Sequence, residues 1–210
     1  VTGSDESVDD LLKLEKLYMT SSIDNATILA YKKANKKINI KKNINNVIYV
    51  SENAKTDISL YDIILSVDGK DINNIKELQD YIKTKNEGDI VYFKVISNKK
   101  EVDRKAEVIN INGELKVGIA FLTTYEYETD PSITVKTKSS ESGSSGGLML
   151  SLAIYNAITK EDITKGKKVV GTGTIEEDGS VGSIGGVKYK LNGAVRQKAD
   201  VFLVPAGENY

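Results

Sequence analysis

The chain has 210 residues and an almost balanced charge, with 29 basic and 30 acidic side chains. It contains no cysteine and no histidine, which excludes disulfides, thiolate and imidazole metal sites, cysteine nucleophiles and serine–histidine–aspartate triads. Only Arg104 and Arg196 are arginines, and together with the lack of net positive charge this argues against nucleic acid as a partner. Any hydrolytic chemistry must therefore use serine, threonine, lysine, tyrosine, a carboxylate or an oxygen-bound metal.

The N-terminal segment is polar at its start and then predicts helix. Residues 1–12 are expected to form a linker after a removed upstream segment, because this start does not resemble a signal peptide. Residues 11–20 fit either a strand or a short helix. Asp24 and Asn25 offer an N-cap, which predicts a separate helix over residues 26–37.

Residues 44–112 have the pattern of a small β-rich module with one helix. Asp68 and Gly69 predict a tight turn after a strand. Asn74, with Glu77 three positions later, predicts a capped helix start. The apolar positions at helical spacing in this segment are Ile75, Leu78 and Ile82. The predicted strands cover residues 47–50, 60–67, 89–97 and 101–111.

This module resembles a PDZ domain of the bacterial protease-associated type. The resemblance depends on the segment 61–70, the helix at 75–83 and the two closing strands. It implies a groove that binds peptide termini. A small β-sandwich without peptide affinity remains the alternative, because a fold alone does not determine a function.

A small-residue loop before an apolar helix is the most informative part of the sequence. Residues 132–137 alternate and predict a half-buried strand. Gly-Ser-Ser-Gly-Gly follows at residues 143–147, and residues 148–158 are apolar nearly all round, which predicts a buried helix. The N–H groups at the start of such a helix can donate hydrogen bonds to the oxyanion that forms during acyl transfer. The alternative is a flexible linker, but a linker does not normally precede a fully apolar helix.

Two lysines lie near the start of the last predicted helix. Residues 168–175 predict a strand, and a glycine-rich turn leads into a helix over residues 187–199. Lys188 lies in the first turn of this helix, where the positive end of the helix dipole favours a neutral amine. A chain without histidine needs such a lysine to activate a serine. Lys190 is the rival base, although it lies on a different face of the helix.

Three motifs in this order resemble those of the Lon-type serine protease domain. They are the segments 143–149, 171–175 and 184–190. The resemblance implies that Ser145 is the nucleophile and Lys188 the general base, since the step of 43 residues from 145 to 188 matches the family's spacing. It also implies that Thr172 orients the lysine.

The nucleophile loop departs from the family pattern on both sides of the serine. Ser144 and Gly146 stand where the family usually has proline and alanine, so Ser144 is a competing nucleophile. The resemblance places Gly143, Ser144 and Gly146 in the loop that surrounds the oxyanion.

The predicted fold is α+β, with a Lon-type proteolytic domain interrupted by the small PDZ-like domain. The proteolytic domain is expected to combine residues 13–42 with residues 114–210. Residues 205–210 end in a predicted loop, so its C-terminus is expected to be truncated. The arrangement is similar to a stand-alone bacterial branch of the family to which no ATPase is attached.

The predicted function is an ATP-independent serine endopeptidase that uses a Ser–Lys dyad and needs no cofactor or metal. The sequence contains no phosphate-binding Gly-x-x-x-x-Gly-Lys-Ser/Thr motif. The expected partners are polypeptide substrates and peptide termini at the PDZ module, and self-association is left open. The resemblance also implies a removed N-terminal membrane anchor and an extracytoplasmic catalytic part. The alternative function is a catalytically impaired scaffold that binds peptides.

Overall fold

The computed structural model describes residues 8–137 and 143–207, which form a mixture of helices and strands. The helices are α1 (Val8–Lys33), α2 (Ile75–Ile82), α3 (Gly147–Ile158) and α4 (Val187–Arg196). The strands are β1 (Lys37–Val50), β2 (Ile63–Val67), β3 (Lys70–Asp71), β4 (Ile90–Ser97), β5 (Lys100–Glu107), β6 (Ile109–Ile111), β7 (Glu114–Lys116), β8 (Ile119–Asp130), β9 (Val169–Gly171) and β10 (Val201–Leu203). The chain is 29% helical and 32% strand, which confirms the predicted α+β class.

The chain divides into two compact units. One consists of residues 1–40 and 127–210, and the other of residues 41–126. The second unit extends beyond the predicted boundary at residue 112, because β8 pairs with β1 in the same sheet and the unit includes β8 as far as residue 126. Residues 1–7 of the predicted linker and 208–210 of the predicted terminal loop lie outside the described residues. In the part that is described, no helix is both long and apolar enough to cross a bilayer.

The unit of residues 41–126 is built on one sheet with the strand order β5-β4-β2-β1-β8. The predicted turn at Asp68 and Gly69 is confirmed, since both residues have positive φ and join β2 to β3. The predicted cap is confirmed as well: the side chain of Asn74 accepts a hydrogen bond of 3.0 Å from the Glu77 N–H. The predicted strand over 101–111 is divided into β5 and β6 at Val108, which is fully buried.

The core of this unit follows from the alternation of β4. Val91, Phe93 and Val95 are buried, and the intervening side chains point outward, as period-2 patterning requires. Leu78 and Ile82 of α2 pack into the same cluster, which confirms the predicted apolar face of that helix.

The other unit is built around α1, a single helix where the sequence predicted two elements. Residues 11–20 and the predicted N-cap at Asp24 and Asn25 all lie inside it. No glycine or proline interrupts residues 8–33, so nothing in the sequence ends the helix before Lys33. Residues 8–12 are therefore helical rather than part of a linker.

Helix α1 packs against α3, and the two helices share an apolar core with one residue from the segment after β9. The buried members of this cluster are Ala26, Ala30, Tyr31, Ile154, Ile158 and Ile175. The parallel pair β9 and β10 lies in the same unit. The strand predicted over 132–137 is not formed, and the one predicted over 168–175 is reduced to β9.

Candidate active site

Ser145 lies in the last turn before α3 and is half-buried. The turn is closed by a hydrogen bond of 3.1 Å from the Gly147 N–H to the Ser144 carbonyl. Gly147 cannot carry a side chain, because a Cβ there would lie 2.8 Å from Ile175 Cγ2 and 2.8 Å from Ser22 Oγ. The glycine therefore allows α3 to start in close contact with α1, and this contact fixes the position of the serine.

Lys190 on α4 reaches the hydroxyl of Ser145. Its Nζ lies 2.8 Å from Ser145 Oγ and 2.9 Å from Thr172 Oγ1. The hydroxyl of Thr172 in turn donates to the carbonyl of Ser145 over 3.0 Å. Ser145, Thr172 and Lys190 thus form a closed set of polar contacts on three separate segments. A neutral amine in this position can accept the proton of the serine hydroxyl.

Lys188, the base predicted from the sequence, does not take part in this set. It is exposed, whereas Lys190 is half-buried beside the serine. Two residues along an α-helix correspond to a rotation of about 200°, so the two lysines face different sides of α4. The lysine that contacts Ser145 is 45 residues away along the chain. The assignment to Lys188 is therefore corrected to Lys190, which the sequence offered only as the rival.

The environment of Lys190 favours its neutral form. Burial lowers the pKa of the Lys190 amine below its ordinary value. Both of its side-chain partners are hydroxyl groups, from Ser145 and Thr172, so neither offers a negative charge that would oppose this shift. Thr172 itself is buried, with only 3% of its surface exposed. A lysine in such surroundings loses its proton more easily than one on an open surface.

The loop that carries Ser145 also presents backbone donors. Among the described residues, the N–H groups of Ser145 and Gly146 donate to no protein acceptor. They lie at the N-terminal end of α3, where the helix dipole is positive. Gly143 has a positive φ of 78° and so allows the sharp entry into the loop. Two N–H groups beside a serine hydroxyl can stabilise a developing oxyanion.

A cavity of about 300 Å³ adjoins the serine and the lysine. It is lined by Ser145, Gly146, Val170, Gly171, Thr172, Lys190, Gly193, Ala194, Gln197 and Phe202. Its walls come from β9, β10 and α4, and Lys190 is the only titratable residue among them. Within the described part of the chain, no cluster of acidic side chains has the geometry to hold a metal ion.

Ser22 and Asn25 of α1 also contact this region, and the sequence analysis missed both. The Ser22 hydroxyl donates to the Ser144 carbonyl over 3.3 Å, and the Asn25 side-chain amide donates to the Ile175 carbonyl over 3.2 Å. Their acceptors are 122 and 150 residues away, so no local pattern could have indicated them. The position of Lys190, by contrast, could have been inferred from the rotation of α4, which determines the side of the helix on which each lysine lies.

Comparison with known families assigns both parts of the chain. Residues 41–108 match the family model of the PDZ domain, and residues 135–210 match that of the Lon protease (S16) C-terminal proteolytic domain. These matches confirm the combination of domains that the sequence predicted. The chain contains a Lon-type proteolytic domain and a PDZ domain, and it is a protease with a PDZ module.

Two of the solved structures that are similar to this chain are PDZ domains. The PDZ domain of the SdrC-like protein from Listeria monocytogenes is 20% identical, covers 40% of this chain and 92% of its own, and has a TM-score of 0.36. The PDZ domain of the SdrC-like protein from Listeria innocua is 26% identical, covers 37% of this chain and 92% of its own, and has a TM-score of 0.34. Comparison with curated proteins gives no significant match.

Proposed function

We propose that the chain is an ATP-independent serine endopeptidase in which Ser145 is the nucleophile and Lys190 the general base. The observation that supports this most strongly is the 2.8 Å contact between Lys190 Nζ and Ser145 Oγ. Thr172 acts as a positioning residue, because its hydroxyl proton goes to the Ser145 carbonyl and its oxygen lone pair faces the lysine amine.

In the proposed reaction, the neutral amine of Lys190 takes the proton of Ser145 while Oγ bonds to the substrate carbonyl carbon. The carbonyl oxygen becomes an oxyanion and accepts hydrogen bonds from the N–H groups of Ser145 and Gly146. The peptide C–N bond then breaks, and the lysine ammonium gives its proton to the leaving amine. A water molecule, deprotonated by the same amine, attacks the acyl-enzyme ester, and the proton returns to Ser145 as the acid product leaves.

The substrate class follows from the cavity and from the PDZ module. The cavity next to Ser145 is large enough for an aliphatic or aromatic side chain, and Val170 and Phe202 give it an apolar surface. We expect cleavage of unfolded polypeptides next to an apolar residue, with the PDZ module binding peptide segments. ATP is not expected to be required, because this sequence has no phosphate-binding loop motif. The anchored, extracytoplasmic location remains a prediction from the resemblance.

The test compares Ser145→Ala with Ser144→Ala. The wild-type chain is incubated with an unfolded protein substrate with and without ATP, and its serine is labelled with a fluorophosphonate. We expect labelling and ATP-independent cleavage that Ser145→Ala abolishes and Ser144→Ala largely retains, because Ser145 is the one of these two serines that contacts Lys190. The reverse pattern would make Ser144 the nucleophile. A wild-type chain that is neither labelled nor active would support the scaffold function instead.

A further inference from the structure

Ser22 forms a hydrogen bond with the peptide group that joins Ser144 to Ser145. The N–H of this peptide group is the backbone N–H of Ser145. The side chain of Ser22 is buried in the middle of α1, with 4% of the residue exposed. Its hydroxyl donates to the Ser144 carbonyl, which also accepts from the Gly147 N–H. The carbonyl oxygen thus has both lone-pair positions occupied, one by α1 and one by the start of α3.

The direction of one N–H group depends on this carbonyl. The carbonyl of Ser144 and the N–H of Ser145 belong to the same peptide unit, which is planar and trans, so the two bonds point in opposite directions. Holding the carbonyl against Ser22 therefore turns the Ser145 N–H away from α1. This N–H is one of the two loop donors that have no protein acceptor among the described residues.

We infer that Ser22 is a positioning residue that sets the direction of the Ser145 N–H and thereby the geometry of the oxyanion hole. The inference rests on the proposed function, because it concerns the same serine. It assigns a role in the reaction to α1, which contributes neither nucleophile nor base.

A second contact of α1 strengthens this inference. Asn25 lies one turn after Ser22, and its amide donates to the Ile175 carbonyl, three residues beyond Thr172. The same side of α1 therefore binds the segment before the nucleophile and the segment after Thr172. These two segments are also joined directly, since the Gly173 N–H donates to the Ser145 carbonyl over 2.9 Å. Helix α1 thus helps to fix the distance between the loop of Ser145 and the segment that follows β9.

Removal of the Ser22 hydroxyl should affect transition-state binding more than substrate binding. In Ser22→Ala, the Gly147 N–H still binds the Ser144 carbonyl, so the turn stays closed while the peptide unit gains freedom to tilt. An oxyanion forms only after attack, and a misdirected donor therefore lowers kcat with little effect on KM. The expected decrease in kcat is about five- to tenfold, less than for complete removal of an oxyanion donor.

The experiment compares wild type, Ser22→Ala and the matched control Thr20→Ala. Thr20 is on the same helix, and among the described residues its hydroxyl bonds only to the Lys16 carbonyl within that helix. Each protein is assayed for kcat and KM on a peptide substrate, for inhibition by a peptidyl boronate that forms a tetrahedral adduct with serine, and for amide hydrogen exchange of the 143–148 segment. The melting temperature is recorded to exclude unfolding.

We expect Ser22→Ala to lower kcat and boronate affinity together and to leave KM within about twofold. The Gly147 amide should exchange faster than in the wild type, because its hydrogen bond still forms but its acceptor, the Ser144 carbonyl, is held less firmly. Thr20→Ala should match the wild type in all four measurements. A wild-type kcat and boronate affinity in Ser22→Ala would overturn the role of Ser22 and leave the proposed function intact. A wild-type chain that neither cleaves peptide nor binds boronate would overturn both.

Discussion

The amine of Lys190 lies 2.9 Å from the hydroxyl oxygen of Thr172, and that hydroxyl donates its own proton to the carbonyl of Ser145. Because the proton is committed to the carbonyl, the threonine oxygen can only accept from the lysine. The amine is therefore held by Thr172 on one side and faces Ser145 on the other. A buried hydroxyl without charge is sufficient to orient the lysine amine.

Replacement of Thr172 tests this orientation. Thr172→Val keeps the shape of the side chain but removes the hydroxyl, and we expect kcat to fall about tenfold, the equivalent of one hydrogen bond of about 1.4 kcal/mol. Thr172→Ser keeps the hydroxyl and should retain most of the activity. Steady-state kinetics on a peptide substrate measure both effects. Equal activity in the valine and serine variants would contradict the role of the hydroxyl.

Substitution of the two lysines on α4 tests the assignment of the base. Lys190→Met should abolish cleavage, because no other amine contacts Ser145 among the described residues. Lys188→Met serves as the matched control and should keep activity close to that of the wild type, since Lys188 is exposed on another side of the helix. The measurement is the initial rate of peptide cleavage. An active Lys190→Met or an inactive Lys188→Met variant would contradict this assignment and support Lys188 as the general base.

The lowered pKa of Lys190 predicts how both rate and stability change with pH. The rate should rise as the pH passes through the lowered pKa, because only the neutral amine is a base. In the unfolded chain the same amine has the ordinary lysine pKa of about 10.4. Between these two values the unfolded state binds more protons than the folded state, so the cost of burying the charge is full below the lowered pKa and disappears as the pH rises.

Urea unfolding of wild type and Lys190→Met at several pH values measures this effect. The free energy of unfolding of the wild type, relative to the variant, should increase from pH 7 towards pH 10. With no histidine in the chain, a rate change near pH 6.5 has no imidazole to cause it. A difference in stability that does not change with pH would show that the Lys190 amine titrates as an ordinary exposed lysine.

Gly193 on α4 provides a test of the cavity beside the serine. A Cβ at this position would contact nothing within 4 Å, and the residue lines the cavity. Gly193→Ala should raise the free energy of unfolding by up to about 1 kcal/mol, because alanine is the better helix former. Gly193→Leu should fill part of the cavity and lower kcat/KM for substrates with a bulky apolar side chain more than for those with alanine. An equal loss of kcat/KM for both substrates would show that the cavity does not select the substrate side chain.

The structure brings the predicted Ser145 and Thr172 together, but the lysine beside them is Lys190 and not the predicted Lys188. A fixed spacing of 43 residues selected Lys188, although the geometry depends on the rotation of α4. The burial of its apolar residues shows how α4 is rotated. Ala194, four positions after Lys190, is buried, whereas Leu191 and Val195, which follow Lys188 at helical spacing, are 43% and 68% exposed. The packed side of α4 therefore carries Lys190 and not Lys188.

Two residues inside α1 predicted a helix start that the structure does not have. Asp24 and Asn25 are the residue types that cap helices, yet here they lie in mid-helix. The amide of Asn25 binds a carbonyl far along the chain, and Asp24 is buried with 5% of its surface exposed. Tertiary contacts therefore replaced the local hydrogen bonds that a cap would make. The turns and the cap of the β-rich module were predictable, because their hydrogen bonds join residues close in sequence.

The division of the proteolytic unit across residues 1–40 and 127–210 has a consequence for biosynthesis. The ribosome releases α1 before the inserted module, and the segments with Ser145, Thr172 and Lys190 emerge after both. Since domains fold as units during synthesis, the module can fold while α1 still lacks its partner α3. Ser145 and Lys190 cannot come into contact until the chain has been made as far as α4. We therefore expect that the incomplete chain cannot cleave itself while it is being synthesised.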